Sequence, residues 1–354
     1  MTISFFTNCP APYRIKQIRA LSEHLDEEIE IYYTETIGDD RKWQVEDKDH
    51  HYLNPTIYLR GYGNLCLDVV DIVKGSRFLI IGGYESPTYL WLSILCRFFK
   101  KPYFLLYDGI APSRVSSVNL GFKSPPKKMI VSHAAGCWVN GSIASSIFET
   151  LGGKNVYNQV LVSDLSSEDA SALFKTEMSR IILGKRSVIY SGRLISRKNV
   201  SELIEAIKQL GDGWILIVAG HGELETQLKL NANEQVVFLG HVEQPELVWL
   251  YDNVNVLALV ADDEPWGLVV YEALSRNCPV LVGPDIGCAE DLVVDGKNGV
   301  KISDSSVESI TVGLSSIFEL NNDEVDKTNN SILDKWNQDN SMREFLAMME
   351  SAGV

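Results

Sequence analysis

The sequence predicts two doubly wound α/β domains that face a central cleft, each with a parallel sheet covered by helices. Short apolar runs alternate with helical patterns from one end of the chain to the other, which is typical of βαβ units. The composition turns to Ser, Asp, Glu and Lys between Val160 and Arg186, and a second alternating series then begins. At 354 residues the chain is long enough for two domains with sizeable cores.

The first domain is expected over 1–165. Its predicted strands are Ile3–Phe6, Ile29–Tyr33, Phe78–Ile81, Tyr103–Tyr107 and Gly136–Val139. Its predicted helices are Tyr13–His24, Leu65–Val73, Pro87–Phe99 and Ser142–Leu151. The stretch from 35 to 55 is polar and rich in Trp, His and Tyr, so a long functional loop is expected there.

A linker is expected over 166–186 and the second domain over 187–325. The predicted strands of the second domain are Val188–Tyr190, Trp214–Val218, Val236–Leu239, Val280–Val282 and one around Val256. The predicted helices are Val200–Leu210, Glu223–Leu230, Pro245–Tyr251, Ser306–Leu320 and one from Gly267. A last helix within 326–354 is expected to cross back to the first domain. Ligands are expected at the carboxyl ends of the strands.

Charge and composition restrict the class of partner. The net charge of −15, with no basic domain, argues against a dedicated nucleic-acid binder. The six scattered cysteines lack metal spacing and are interpreted as buried thiols in a reducing cytoplasm. The N-terminus lacks a signal-peptide pattern and no apolar run suits a membrane span, so a cytoplasmic protein is expected. The helix Tyr13–Leu21, with cations at 14, 16 and 19, is interpreted either as an ordinary surface helix or as a site of peripheral contact with the inner face of a membrane.

The most informative motif is a pair of carboxylates eight residues apart, Glu264 and Glu272. The apolar run that ends at Val260 predicts a buried parallel strand, and helical spacing resumes after Gly267. Backbone amides at such a helix start have no partner within the helix and form a phosphate site. A phosphate pocket flanked by two acids suits an anionic ligand that also carries hydroxyls, such as a sugar nucleotide.

Three further turns follow predicted strands of the second domain. The turn Gly192–Lys198 carries three cations before a helix, which suits a diphosphate or a solvated basic turn equally well. Gly220-His221-Gly222 is interpreted as a plain strand–helix turn or a ligand loop, and His221 and His241 as polar loop residues. No acidic residue stands at ligand spacing from these two His, so no metal is expected. The small-residue loop Gly283–Leu292 is a second candidate for close approach of the backbone to a sugar.

Together these segments resemble the C-terminal domain of the retaining glycosyltransferases of family 4, which have two Rossmann-like domains in the glycosyltransferase-B fold. The matching residues are Gly192-Arg193-x4-Lys198, Gly220-x-Gly222, Phe238-x-Gly240, Glu264-Pro-Trp-Gly-Leu-Val-Val-Tyr-Glu272 and Gly287–Leu292. The resemblance is strong from Ser187 to Val300. In the first half, Pro10–Arg14 and Arg41-Lys-Trp43 are similar to one branch of the family.

The resemblance implies a role for each matching residue. Arg193 and Lys198 would hold the donor diphosphate as it leaves, Glu264 would lie against the donor sugar, and Glu272 would accept hydrogen bonds from the ribose hydroxyls. The other implied donor contacts are Gly192, Gly220, Gly222, His241, Val242, Trp266, Gly267, Leu268 and Val269. The acceptor side would include Tyr13, Arg14, Arg41 and Trp43.

One residue of the family pattern is missing. Many members carry a His after the strand that matches Tyr103–Tyr107, where this chain has Asp108. Either Asp108 or Glu85 would then take its place, and Asp108 is the catalytic candidate on this side. His133 precedes its strand and is interpreted as structural.

The implied activity is transfer of a sugar, with retention, from a nucleotide diphosphate sugar to a saccharide or lipid-linked saccharide, in bacterial surface polysaccharide or glycolipid synthesis. No cofactor and no metal are expected. The alternatives are a sugar-nucleotide 2-epimerase of related fold and a non-catalytic sugar-nucleotide-binding or scaffold protein. Metal-dependent transfer would use Asp47-Lys-Asp49, which is interpreted as a chance match. The sequence leaves the base, the sugar, the acceptor and the oligomeric state open.

Overall fold

The computed structural model describes residues 2–36, 50–116, 124–161, 163, 165 and 168–354. The chain divides into two compact units, each described by itself below. The first unit comprises Met1–Gly109, Val115–Leu161 and Asn337–Val354, and the second comprises Ile110–Arg114 and Val162–Trp336. Residues predicted as a linker over 166–186 therefore lie in the second unit, where Ala172–Ile182 form a helix capped by Ser171.

A seven-stranded sheet forms the centre of the first unit, in the order β3-β2-β1-β6-β7-β8-β9 with every neighbouring pair parallel. The strands are β1 Thr2–Thr7, β2 Ile29–Tyr33, β3 His50–Tyr52, β6 Ser76–Ile81, β7 Tyr103–Tyr107, β8 Gly136–Val139 and β9 Val156–Asn158. A separate antiparallel hairpin joins β4 Ile57–Leu59 to β5 Gly63–Leu65. The strand order reverses between β1 and β6, which is where a doubly wound sheet opens a crevice for ligands.

Helices cover this sheet. They are Pro12–Leu25, Val70–Gly75, Pro87–Phe99, Ser124–His133, Ser142–Thr150 and, at the C-terminus, Gln338–Ala352. The helix predicted over Leu65–Val73 begins only at Val70, because the residues before it form the hairpin. The helix Ser124–His133 was not predicted, since its Pro125-Pro126 start resembles a loop, although proline is tolerated in a first helical turn.

The C-terminal helix completes the core of the first unit. Met342, Phe345, Met348 and Met349 are buried on the same cluster as Phe104 and Trp138. The Phe345 ring lies 4.8 Å from that of Trp138. The predicted return of the chain to the first domain is thus seen in the structure.

The single helix expected at the C-terminal end is replaced by two helices, Asn322–Leu333 and Gln338–Ala352. The second helix begins anew because Asn337 caps it by accepting a hydrogen bond from the Asn340 amide.

The second unit has a six-stranded sheet, in the order β12-β11-β10-β13-β14-β15, again parallel throughout. Its strands are β10 Arg186–Ser191, β11 Trp214–Ala219, β12 Val236–Gly240, β13 Val256–Leu259, β14 Val280–Val282 and β15 Gly299–Lys301. Its remaining α-helices are Val200–Leu210, Glu225–Asn231, Gln244–Asn253, Leu268–Ser275, Ala289–Leu292, Val307–Ile317 and Asn322–Leu333. The order reverses between β10 and β13, so the loops that follow these two strands flank the switch point.

Two predictions from composition concern the cysteines and membrane-spanning segments. All six cysteines are free and buried. Within the described ranges no helix has the length and apolar character that crossing a bilayer requires.

Candidate functional site

The loops after β10 and β11 pack backbone against backbone. The Gly192 amide donates to the Ala219 carbonyl at 2.9 Å, and the Leu194 amide donates to the His221 carbonyl at 2.9 Å. A Cβ atom at Gly220 would lie 1.8 Å from the Gly192 carbonyl oxygen, and one at Gly222 would lie 2.4 Å from that of Leu194. Both glycines are therefore required by the contact between the two loops, whatever they contribute to a ligand.

A cation turn follows β10 and meets the loop after β13. Lys198 forms an ion pair with Glu264, and the two side chains are only 10% and 14% exposed. The Nη1 atom of Arg197 lies 3.7 Å from the Glu264 Oε2 atom. Burial lowers the pKa of Lys198, the ion pair with Glu264 opposes that shift, and the charges of Arg197 and Arg193 add to the lowering, so both guanidinium groups act on Lys198. Arg193, Lys198 and Glu264, predicted to act together, are thus brought together.

Sequence reasoning missed a second layer that fixes the Glu264 loop. Asp263 has a left-handed backbone with φ of 52°, and its amide donates to Asp285 Oδ2 at 2.6 Å. The Asp263 carboxylate pairs with Arg114, whose hydrogen bond holds the pKa of that carboxyl below its usual range. The Asp263 carbonyl accepts from Arg197 Nη1 at 2.6 Å. Arg114 comes from the short segment Ile110–Arg114, which no local pattern connects with this loop.

The helix Leu268–Ser275 starts beside this network with an open N-terminus. Gly267 stands at its N-cap with φ of 94°, and no side chain caps the helix. The amides of Gly267, Leu268 and Val269 donate no hydrogen bond within the part of the chain that the structure describes. These are the amides predicted to bind phosphate or sugar oxygens, and their position fits that prediction. The Trp266 side chain is instead buried against Trp336, with ring centroids 5.0 Å apart.

Glu272 lies inside the same helix and is buried. Tyr251 Oη donates to the Glu272 Oε2 atom at 3.2 Å. Burial raises the pKa of Glu272, while hydrogen bonds with Ser163 and Tyr251 act in the opposite direction. The carboxylate predicted to bind ribose therefore occupies a desolvated pocket with a tyrosine hydroxyl already on it.

Two His residues mark the neighbouring edge of the sheet. The rings of His221 and His241 lie 6.3 Å apart, and the His241 Nε2 atom is 3.3 Å from Glu243 Oε1. Val242, another of the implied donor contacts, follows His241 and is half-buried. Among the described side chains no group of three or more His, Cys, Asp or Glu is placed to hold a metal ion. Asp47 and Asp49 lie outside the described residues.

The first unit has its own polar cluster at the switch point of its sheet. Arg14 is buried and forms an ion pair with Asp108, while Tyr13 Oη donates to Asp108 Oδ2 at 3.1 Å. Burial lowers the pKa of Arg14 to about 10. Tyr13, Arg14 and Asp108, predicted separately, thus form one cluster. Glu85, the alternative to Asp108, accepts from the hydroxyl of Tyr107.

Three predictions about the first half end differently. Arg41 and Trp43 lie outside the described residues. Arg14 is only 2% exposed, so of the three cations noted on the first helix only Lys16 and Arg19 are exposed to solvent. His133 Nδ1 lies 2.9 Å from the Met129 carbonyl oxygen of its own helix, and its structural role stays a prediction.

Residues 175–333, all within the second unit, match the family model of the glycosyl transferases group 1. Curated relatives match the same half. The glycogen synthase of Mycobacterium tuberculosis is 30% identical over 144 residues, which are 38% of this chain and 34% of that protein. The GDP-mannose-dependent alpha-(1-6)-phosphatidylinositol monomannoside mannosyltransferase of Mycolicibacterium smegmatis is 30% identical over 152 residues, 38% of this chain and 40% of that protein. The chain thus spans well under half the length of these relatives.

Solved structures match over the whole length. HepE of Anabaena, in complex with UDP-glucose, superimposes with a TM-score of 0.74 over 99% of this chain and 100% of that chain, at 15% identity. A likeness at this identity shows the fold. The predicted architecture of two Rossmann-like domains, of the glycosyltransferase-B type, is confirmed.

Proposed function

We propose that this protein is a retaining glycosyltransferase of family 4 that moves a sugar from a nucleoside diphosphate sugar to an acceptor hydroxyl. The observation that carries the proposal is the arrangement around Glu264: three cations, two acids and an uncapped helix N-terminus meet at the switch point of one sheet. A diphosphate matches the cations and the amides. The hydroxyls of a sugar and a ribose match the two carboxylates.

The donor is held through its diphosphate. Arg193 and Lys198 contact the diphosphate oxygens, and the amides of Gly267 to Val269 donate to phosphate or sugar oxygens. Glu272 accepts from the ribose hydroxyls after displacing the Tyr251 hydroxyl, and Glu264 orients the donor sugar. The base packs beside His241 and Val242.

Transfer proceeds through an oxocarbenium-like transition state. The bond from the anomeric carbon to the diphosphate oxygen breaks, and its electron pair leaves with the diphosphate. The acceptor hydroxyl adds to the same face of the sugar, forming the new bond to the anomeric carbon, and transfers its proton to the departing diphosphate oxygen on that face. Stabilisation of the leaving diphosphate by Arg193 and Lys198 supplies most of the rate, as is usual where charge develops on a leaving group. The reaction uses no cofactor and no metal.

The acceptor enters at the first unit, where Tyr13, Arg14 and Asp108 form a polar cluster without excess charge. Such a cluster suits a neutral hydroxyl better than an anion. Asp108 takes the position of the family's His. The acceptor is a saccharide or a lipid-linked saccharide, and the pathway is bacterial surface polysaccharide or glycolipid synthesis, with peripheral contact at the inner face of the membrane.

The first experiment is a thermal-shift and calorimetric screen of the purified protein against UDP-, GDP-, dTDP- and ADP-sugars, with and without EDTA. One nucleotide sugar is expected to raise Tm, equally with EDTA present, and Glu272→Ala is expected to abolish the shift. A matched control is Glu308→Ala, since Glu308 is exposed on the helix Val307–Ile317.

Other results point elsewhere. No stabilisation by any donor overturns the donor site. Donor binding without product in the presence of candidate acceptors supports a binding or scaffold protein. Release of a 2-epimer of the donor sugar supports the epimerase. A shift that EDTA abolishes contradicts the metal-independent mechanism.

A further inference from the structure

The helix Pro87–Phe99 is apolar on its outer side as well as its inner side. Leu92, Leu95 and Cys96 are buried against the first unit. On the opposite side Ile94 and Phe98, one helical turn apart, are 40% and 77% exposed. Apolar residues all round a helix are typical of one that is covered on both sides. Among the described residues nothing covers Ile94 and Phe98.

Cations lie at the end of this apolar strip and on one neighbouring helix, while the other neighbour, Val70–Gly75, carries both Lys74 and the exposed Asp71. The stretches 86–107 and 124–148 contain five Lys or Arg residues and no Asp or Glu, in a chain whose net charge is −15. Arg97 and Lys100 are exposed at the end of the helix, and Lys128 is exposed on the adjacent helix Ser124–His133. Within the described ranges none of the three forms an ion pair, whereas Arg77 on the same unit pairs with Glu27.

This composition selects the occupant. A second copy of the chain, docked face to face through a two-fold axis, would bring Arg97 and Lys100 against their own copies. An anionic surface matches the cations, and an interface that also accepts Ile94 and Phe98 without a shaped pocket is a lipid bilayer. Apolar side chains enter the acyl boundary while neighbouring Lys and Arg remain at the head groups.

We propose that Ile94, Arg97, Phe98, Lys100 and Lys128 form a docking surface for a membrane that contains anionic lipid. This basic–apolar surface rests on the proposed function in one respect: a lipid-linked acceptor would explain why the protein docks on a membrane. It replaces the helix Pro12–Leu25 as the membrane contact, because Arg14 of that helix is buried on Asp108.

The test is co-sedimentation of the full chain with vesicles of phosphatidylcholine alone and of phosphatidylcholine mixed with phosphatidylglycerol. The protein is expected to bind the anionic vesicles, and rising salt is expected to weaken the binding. Phe98→Ser is expected to reduce the partition coefficient about tenfold, since it removes one large apolar side chain from the interface. Arg97→Gln with Lys128→Gln is expected to reduce it roughly twentyfold or more, at about one factor of five per cation.

Matched controls come from the helix Ala172–Ile182 of the second unit. Leu173 is 85% exposed and Arg180 is exposed, so Leu173→Ser and Arg180→Gln remove the same chemistry elsewhere and are expected to leave binding unchanged. The nucleotide-sugar thermal shift is measured on every variant. An unchanged shift shows that the variant is folded and keeps the donor site independent of the vesicle result.

Three results would overturn the surface. They are no binding to anionic vesicles, equal binding to neutral vesicles, and anionic binding that the Phe98 and Arg97/Lys128 variants leave intact. Self-association of the free protein that Phe98→Ser abolishes would assign the face to a second copy. Capture of an acidic protein, with no vesicle binding, would assign it to a protein partner. A failed donor screen with intact vesicle binding would contradict the proposed function alone.

Discussion

The carboxyl edges of the two sheets carry polar clusters of opposite character. In the second unit Arg197 and Lys198 lie against the Glu264 carboxylate, and the charge of Arg193 acts on Lys198, beside open helix amides. In the first unit one cation, Arg14, faces one carboxylate, Asp108, and a tyrosine hydroxyl. Several cations beside open amides suit an anionic ligand, whereas a single ion pair does not. Under the proposed function, the cluster of the second unit would hold the anionic donor and that of the first unit the neutral acceptor.

The two edges also differ in how rigidly their loops are held. Two glycines after β11 lie against backbone: a Cβ at Gly220 would meet the Gly192 carbonyl oxygen at 1.8 Å, and one at Gly222 would meet that of Leu194 at 2.4 Å. In the first unit a Cβ at Gly83 would meet a side-chain atom, Glu85 Oε2, at 2.8 Å. A side chain can rotate away from such a contact and a packed backbone cannot. The loops after β10 and β11 are therefore fixed by contact between their backbones, whereas the contact at Gly83 can relax by rotation of a side chain.

The largest expected effect tests this difference in rigidity. Gly220→Ala is expected to lower the free energy of unfolding by about 3 kcal/mol or more, because two backbone segments must separate to admit the methyl group. Urea denaturation measures the change. Gly83→Ala should cost clearly less. Gly213→Ala is the control, since its added Cβ meets nothing within 4 Å. Equal costs at Gly220 and Gly83 would remove the distinction between the two edges.

The next effect concerns the cations of the second unit. Arg193→Ala is expected to reduce turnover by about 10²-fold or more, a loss typical of one strong contact to developing negative charge. Product formation from the donor identified in the screen measures it. Arg180→Ala, at an exposed position of the second unit, should leave turnover unchanged. A near-normal rate for Arg193→Ala would show that the diphosphate leaves without this cation.

The matched pair of the first unit predicts a smaller, different effect. Asp108→Asn leaves the buried Arg14 without its carboxylate and should cost about 2 kcal/mol of unfolding free energy, less than for a fully buried pair because Asp108 is 40% exposed. Adding Arg14→Met should restore most of the stability. Turnover separates the roles: if Asp108 contacts the acceptor, the double variant is stable but slow. Full activity in that variant would make the pair structural only.

Local patterns predicted the parts of the site that are contiguous in sequence, and only those. The turn Gly192–Lys198 and the spacing of Glu264 and Glu272 could be read directly, and the alternation of strands and helices gave the doubly wound sheets. Contacts between residues that are far apart in the sequence could not be predicted from local patterns. Arg114 and Asp263 are 149 residues apart. The sequence around Gly222 does not indicate that the Leu194 backbone fills the space where a Cβ atom would lie. The hairpin was not predicted because its strands are only three residues long, too short to show an alternating apolar pattern. The helix Ser124–His133 was not predicted because its first turn contains two prolines, which have low helix propensity.

The smallest effect is a dependence on pH: through Glu272, the stability of the fold and the affinity for the donor are expected to change in opposite directions as the pH rises. Burial raises the pKa of Glu272 above its ordinary value of 4.5, so the folded state holds this proton more tightly than the unfolded chain does. The resulting stability is fully present below pH 4.5 and is lost as the pH rises through the raised pKa. Donor binding moves the other way, because the ionised carboxylate is the better acceptor for ribose hydroxyls. Glu272→Gln should remove this residue's part of the pH dependence, which is the difference in unfolding free energy between the unmodified protein and the variant, and exposed Glu308→Gln should not. Denaturation and calorimetry at the same series of pH values measure both trends. If that difference rises with pH together with donor affinity, Glu272 is not the group that links them, and the ribose contact belongs to another residue.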